Sequence, residues 1–254
     1  MIPVLYDGSF EGLLTAVFEI YEYKLRDTTI LPNDEAVNSL FGKTHIVITS
    51  SDKSERVWKK LQEKLSRNGL GQVYRSYLSE IKGIEDHIFR YVQYALTSKN
   101  AIENDYSNAD VLMLQQTSRK VHREKHRMEA FVRFQLTKDG LYYAVVQPDF
   151  NVLPLIIKHF KDRYADQRWL IYDTQRRYGL YYNLQEVTEI TMEFDVDTHN
   201  TNQLATIHDD KEELYQKLWH QYFSSVNIAA RRNMKLHIKH MPRRYWKNLV
   251  EKKK

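Results

Sequence analysis

The chain has 254 residues, of which 42% are hydrophobic and 28% charged, a balance that excludes a disordered chain and is typical of a globular one. It contains no cysteine, which excludes disulfides, zinc–thiolate sites, a cysteine nucleophile and an iron–sulfur cluster bound by its own thiolates. Because the cluster of a radical S-adenosylmethionine enzyme needs thiolates, the chain cannot itself be such an enzyme. Its formal net charge is +5.

The first part of the chain is predicted to alternate short strands with amphipathic helices. A buried strand is followed by a helix that begins at Phe10, with Ser9 as its N-cap. A polar loop and a β-branched strand come next, and three helices follow them. The predicted ranges are 2–7 for the first strand, 27–42 for the loop, 43–49 for the second strand, and 51–68, 73–80 and 84–97 for the three helices.

The second part is predicted to mix βα units with hairpins. A long helix over 107–126 leads into a strand at Phe131–Phe134, and Asp139-Gly140 is a hairpin signal. Helices finish the chain, with Pro242 at a break. The remaining ranges are 141–146, 169–172, 180–183 and 187–194 for strands, and 150–164, 208–225, 228–240 and 243–251 for helices.

This order of elements predicts an α+β fold with a mixed or antiparallel central sheet, flanking helices and a basic C-terminal helical segment. We expect an α+β core over residues 1–205 and a basic helical segment over 206–254 that packs on it, together forming one structural domain. Only 8 Gly and 5 Pro are present, so flexible linkers are not expected.

A cytoplasmic location is expected. The first ten residues have no basic region and carry Asp7, unlike a signal peptide. No apolar run approaches the 18 residues or so that a membrane helix needs, so no membrane contact is expected.

Positive charge is concentrated at the C-terminus. Residues 231–254 hold ten Lys/Arg against Glu251 alone, a net charge of +9, whereas the first 230 residues hold 28 basic and 32 acidic residues, a net charge of −4. Such asymmetry predicts a polyanion as partner, and the aromatic residues among these charges favour nucleic acid. A second basic cluster runs from Arg119 to Arg133, for which a solvated helix face is the alternative.

The candidate nucleic-acid contacts come from both clusters. Lys and Arg side chains would neutralise phosphates, and Tyr245 or Trp246 would stack on an unpaired base, unless the two aromatic side chains dock the last helix onto the core instead. The predicted contact residues are Arg127, Arg133, Arg231, Arg232, Asn233, Lys235, Arg243, Arg244, Tyr245, Trp246 and Lys247.

Signals for catalysis are weaker. Nucleotide-binding glycine loops and the nucleophile elbow are absent, so no cofactor is expected. His122 and His126 share a helix face, and Asp195, Asp197 and His199 alternate, but neighbouring cations and the frequency of acidic loops argue against a metal. The candidate acids or bases are Asp7 and Asp173, which end predicted strands, and His126.

Several motifs resemble a bacterial family described as DNA metabolism proteins, which contains a domain of unknown function. The matching motifs are Tyr6-Asp7-Gly8-Ser9-Phe10-Glu11-Gly12-Leu13-Leu14, Glu124-x-His126-Arg127-Met128-x-x-Phe131-Val132-Arg133-Phe134, His159-Phe160-x-x-Arg163, Ile171-Tyr172-Asp173, Arg177-x-Gly179-x-Tyr181-Tyr182, Leu218-Trp219-x-x-Tyr222-Phe223, Arg231-x-Asn233-x-Lys235 and Met241-Pro242-Arg243-Arg244-Tyr245-Trp246-x-x-Leu249-x-Glu251.

The resemblance implies a setting and no catalytic residues. Members of the family are encoded beside a radical S-adenosylmethionine protein thought to modify or repair DNA, and some are fused to a uracil-DNA glycosylase-type domain. The implied partners are therefore DNA, a radical S-adenosylmethionine protein and a uracil-DNA glycosylase-type protein.

Three functions remain open from the sequence. The first is a DNA-binding accessory component of a DNA modification or repair system. The second is an enzyme that acts directly on nucleic acid, of a nuclease or base-release type. The third is an adaptor that binds protein and not DNA.

Overall fold

The computed structural model describes residues 2–35, 44–191, 234–249 and 252. The chain divides into two compact units, Met1–His122 (unit 1) and Arg123–Lys254 (unit 2). The predicted boundary between residues 205 and 206, like the predicted helix over 208–225, lies outside the described residues and stays a prediction.

The described part of unit 1 contains a three-stranded sheet in the order β2-β1-β3, with all strands parallel. Helix α1 connects β1 to β2, which makes a β-α-β crossover. The helix begins after Ser9, whose hydroxyl accepts a hydrogen bond from the backbone N–H of Gly12, as predicted for an N-cap. The bounds are β1 (Ile2–Tyr6), α1 (Phe10–Glu22), β2 (Thr28–Pro32) and β3 (His45–Ile46).

The prediction of a loop over residues 27–42 is wrong at its start, where β2 lies. Ile30 is fully buried and pairs in register with Val4 of β1. The segment is short and polar at its flanks, so its own pattern is weak. Its strand conformation depends on a parallel partner that lies more than twenty residues earlier in the chain.

Four helices complete the description of unit 1. The predicted bounds of α4 are confirmed, and its buried residues Ile84, Ile88, Tyr91 and Val92 follow helical periodicity. The boundary between the units falls inside α5 and not in a loop. The bounds are α2 (Ser51–Lys64), α3 (Arg67–Tyr77), α4 (Ile84–Thr97) and α5 (Ala109–Phe131).

The described part of unit 2 is built on a mixed five-stranded sheet in the order β4-β5-β6-β7-β8. Strands β5 and β6 are parallel and joined by α6, whereas the other pairs are antiparallel, so the predicted α+β class with a mixed sheet is confirmed. The bounds are β4 (Gln135–Leu136), β5 (Tyr142–Val146), α6 (Leu153–Arg163), β6 (Trp169–Asp173), β7 (Tyr178–Tyr182) and β8 (Val187–Thr191).

Two predicted elements of unit 2 differ from the structure. Helix α5 continues to Phe131, so the strand predicted at Phe131–Phe134 begins only at Gln135. The predicted helix over 243–251 is instead a 3-10 helix at Arg243–Asn248, which follows α7 (Met234–His240) after Pro242. Proline lacks the N–H that would continue the α-helical ladder, which explains the break.

Strand β7 lies close against β6, and Gly179 makes this approach possible. A Cβ at position 179 would lie 2.9 Å from the backbone oxygen of Ile171 and 3.1 Å from Leu170. We therefore expect Gly179→Ala to lower the free energy of unfolding by about 1–3 kcal/mol, since the sheet backbone has to shift. Chemical denaturation measures this loss, and an unchanged midpoint would contradict the close contact.

Candidate nucleic-acid interface

A buried carboxylate joins α5 to the C-terminal segment within unit 2. The side chain of Glu124 is 1% exposed, and one of its oxygens accepts hydrogen bonds from the Tyr245 hydroxyl and from Arg244 Nη2, the latter at 3.0 Å. Its other oxygen accepts the backbone N–H of Asp149 at 3.0 Å. Arg127 Nη1 lies 3.5 Å from Glu124. We call Glu124, Arg244 and Tyr245 the Glu124 clamp.

The clamp gives two predicted contact residues a structural role. The Tyr245 side chain is buried, and its ring packs 5.7 Å from the ring of Phe131. Burial raises the pKa of the Tyr245 hydroxyl well above its usual range, and the neighbouring carboxylate adds to this shift. Arg244 also contacts Asp149 Oδ2 at 2.7 Å. Tyr245 therefore docks the segment onto the unit, and the charge of Arg244 is balanced by carboxylates.

Trp246 lies next to the clamp in a different environment. Its half-buried ring has the guanidinium of Arg243 at 5.8 Å and the ammonium of Lys252 at 5.0 Å from its centroid. Arg243 and Lys247 are both exposed. Lys247 donates a hydrogen bond to the side chain of Gln147. Because Gln147 is neutral, this contact does not compensate the charge of Lys247. An indole flanked by cations is the chemistry that suits a phosphate beside an unpaired base.

The other predicted contact residues divide into paired side chains and undescribed ones. Arg133 Nη1 donates to the backbone oxygens of Ala130 and Val132, near the end of α5. This role resembles a C-terminal cap, because the last carbonyls of a helix lack intrahelical donors. Arg231, Arg232 and Asn233 lie outside the described residues, and so does the side chain of Lys235.

Asp173, a catalytic candidate, is fully buried at the end of β6. It accepts hydrogen bonds from the backbone N–H of Gln175 at 2.8 Å and from Arg176 Nη1 at 2.9 Å. These contacts close the turn between β6 and β7, in which Arg177 adopts a left-handed conformation with φ of 57°. The arrangement fits a turn-forming role and offers no carboxylate to a substrate.

Asp7, in unit 1, is exposed between β1 and α1. It accepts hydrogen bonds from the Ser9 backbone at 2.9 Å, from the Ser9 hydroxyl at 2.7 Å and from the Thr49 hydroxyl at 2.8 Å. Burial alone would raise the pKa of Asp7, but these hydrogen bonds outweigh it, so the pKa lies below its usual value. An ionised, triply hydrogen-bonded carboxylate is a poor general base at neutral pH.

His126 is the most solvent-exposed of the catalytic candidates. Its side chain is 81% exposed, and Nδ1 lies 3.8 Å from a Glu129 oxygen, beyond hydrogen-bond distance. No group of three or more His, Asp or Glu side chains within the described residues is arranged to hold a metal ion. The sequence 195–199, which contains the alternating Asp195, Asp197 and His199, lies outside those residues.

The sequence interpretation missed Glu124 as the centre of the clamp. Its position contains a usable signal, because Val121 and Met128 are buried and lie three and four residues away on the same face of α5. A carboxylate on the apolar face of a helix is buried when the helix packs, and a buried carboxylate needs a hydrogen-bond donor or a cation as its partner. The partner itself, 120 residues later in the chain, is not visible in this pattern.

A family model for a domain of unknown function, DUF4130, matches residues 82–251. The chain belongs to the DUF4130 family. No curated protein matches the chain at a meaningful level. The match contains the Glu124 clamp, Arg243 and Trp246, whereas Asp7 precedes it. The predicted resemblance to a family with a domain of unknown function is thereby confirmed.

None of the helices among the described residues combines the length and the apolar composition that crossing a bilayer requires.

Proposed function

We propose that this DUF4130 chain is a DNA-binding accessory component of a DNA modification or repair system. The observation that carries the proposal is the charge of the segment Met234–Leu249, which contains five Lys/Arg and no Asp or Glu. Among its described side chains, Lys239, Arg243 and Lys247 are exposed, and none forms an ion pair within the described part of the chain. Three uncompensated cations within nine residues favour a polyanion.

The neighbourhood of Trp246 supports DNA over a purely anionic protein surface. The Glu124 clamp anchors Tyr245 and Arg244, and thereby holds the next residue, Trp246, beside Arg243. Aromatic rings stack on any unpaired base, while adjacent cations bind the phosphates. Among the predicted residues whose side chains are described, the contact role thus falls on Arg243, Trp246 and Lys247, and the stacking alternative for Tyr245 is set aside because its ring is buried. Arg231, Arg232, Asn233 and Lys235 stay predicted contacts.

The partner part of the proposal rests on composition and on the family resemblance. With no cysteine, the chain has no thiolates for a cluster, so radical chemistry on DNA would come from a separate radical S-adenosylmethionine protein. A uracil-DNA glycosylase-type protein is the second proposed partner, and the proposed compartment is the cytoplasm. In this division of labour the present chain binds the DNA on which its partners act.

Removal of the two exposed cations beside Trp246 tests the DNA site. We expect the double variant Arg243→Ala/Lys247→Ala to bind DNA roughly 20-fold more weakly at physiological salt, because two counterions are no longer released. The log–log dependence of affinity on salt should become shallower by about 1.8 on duplex DNA and by about 1.4 on single-stranded DNA. Fluorescence anisotropy with labelled single-stranded and duplex DNA measures both quantities.

The matched control is Lys82→Ala/Lys138→Ala, which removes the same charge from two exposed lysines elsewhere in the chain. Equal losses in both double variants would show that net charge alone acts, and would reject a site at Trp246. The adaptor function predicts a different outcome, in which the intact chain binds no DNA and co-purifies with its protein partner after nuclease treatment.

A further inference from the structure

Helix α5 has a basic face that the predicted contact set does not include. Arg119, Lys120 and Arg123 are all exposed, and their spacing of one and four residues puts them on one side of the helix. The next turn of the same face carries His126, which is also exposed. We call Arg119, Lys120 and Arg123 the α5 basic face.

The acids of α5 are directed away from this face. Glu124 is buried in the clamp, and the Glu129 side chain is 14% exposed and bound by Lys125 Nζ at 2.6 Å. Asp110, in the first turn, is held by Arg90 and His87. The helix therefore separates its charges, with its carboxylates compensated by neighbours and three cations directed to solvent.

The three cations have no partner within the described residues. Neither a hydrogen bond nor an ion pair engages Arg119, Lys120 or Arg123, in contrast to Arg127 and Arg133, which contact Glu124 and backbone carbonyls. Solvated like charges at neighbouring positions of a helix repel one another and cost stability. A bound polyanion would remove this cost.

We propose that the α5 basic face binds the phosphate backbone of duplex DNA. The inference rests on the proposed function because it takes DNA as the ligand. The surface it concerns, on α5, is separate in sequence from the segment Met234–Leu249. The inference adds a second DNA-contacting surface to the proposed function, and it assigns double-stranded DNA as the ligand of that surface. Because it involves no base edge, the contact is independent of sequence.

Two features of the face favour duplex over single-stranded DNA. Helix α5 carries no Phe, Tyr or Trp from Ala109 to Ala130, so the stacking that single-strand binding sites use is missing there. The rigid helix also fixes the spacing of the charges. Arg119 and Arg123 lie about 6 Å apart along the helix axis at a rise of 1.5 Å per residue, close to the distance of about 7 Å that three successive phosphates cover along one strand of a duplex.

The test removes the three charges together. The variant Arg119→Ala/Lys120→Ala/Arg123→Ala should bind duplex DNA on the order of 100-fold more weakly at physiological salt, with a salt slope shallower by about 2.7. Binding to single-stranded DNA should change much less. Because alanine has the highest helix propensity, we expect α5 to remain helical in the triple alanine variant, and circular dichroism measures its helix content. A second variant with glutamine at the three positions removes the same charges but keeps a polar side chain with two methylene groups, so it separates loss of charge from loss of side-chain volume.

The matched control is Lys82→Ala/Lys99→Ala/Lys138→Ala, which removes three exposed lysines outside α5. An unchanged duplex slope in both α5 variants, while the wild-type chain binds duplex DNA, would overturn this inference alone. Equal losses on single-stranded and duplex DNA would also overturn it, because the assignment to the double strand would be wrong. Failure of the wild-type chain to bind any DNA would instead reject the proposed function.

Discussion

Replacement of Glu124 by alanine is expected to lower the free energy of unfolding by about 3 kcal/mol. The substitution leaves the buried Tyr245 hydroxyl and the Asp149 N–H without their acceptor. It also removes one of the carboxylates that pair with Arg244. Arg244 is 40% exposed and can turn to water, so most of the loss comes from the buried tyrosine and the amide. Denaturation with urea, followed by circular dichroism, measures the change.

Glu55→Ala provides the matched control, because Glu55 is an exposed helical glutamate. Surface substitutions of this kind usually change stability by less than about 0.5 kcal/mol. The Glu124 variant should in addition bind DNA more weakly, since the segment that carries Arg243 and Trp246 loses its anchor. If both variants unfold at the same denaturant concentration, the clamp does not hold the segment.

Asp173→Ala is expected to have the largest effect on stability, a loss of about 3–5 kcal/mol. The Asp173 side chain is fully buried, and that of its partner Arg176 is only 10% exposed. Removal of the carboxylate leaves a nearly buried guanidinium beside the turn and removes the acceptor for the Gln175 N–H. Thermal and urea denaturation both report this loss.

Asp173→Asn separates the contributions within that turn. An asparagine oxygen can still accept the backbone hydrogen bonds, so this variant should lose less stability than the alanine variant, the difference being the charge opposite Arg176. Asp162→Ala, at a position that is 62% exposed, serves as the control. Normal stability of Asp173→Ala combined with the loss of a nucleic-acid-processing activity would instead make Asp173 catalytic.

Elements with strong local patterns could be predicted from the sequence. Helix α4 has buried residues at three- and four-residue intervals, and Asp139-Gly140 forms the expected turn with Gly140 at a φ of 76°. Strand β2 could not be predicted, because five residues with one fully buried side chain give little periodicity. Its pairing with β1 is a non-local contact that local propensity does not encode.

The candidate site was only partly predictable for the same reason. Basic composition identifies the C-terminal segment and α5 as cationic, but it does not distinguish compensated from exposed charges. Arg243 and Arg244 are neighbours in sequence, and yet only Arg244 meets buried Glu124, a residue 120 positions earlier. Similarly, Arg127 faces the clamp while Arg123, one helical turn before it, faces solvent.

The salt dependence of DNA binding by the intact chain tests the central claim most directly. Affinities for single-stranded, duplex and uracil-containing duplex DNA would be measured between about 50 and 200 mM salt. With three cations in the C-terminal segment and three on α5, we predict a straight log–log dependence with a slope of about −5 on duplex DNA. Binding that does not change with salt, or no binding at the lowest salt concentration, would contradict the account.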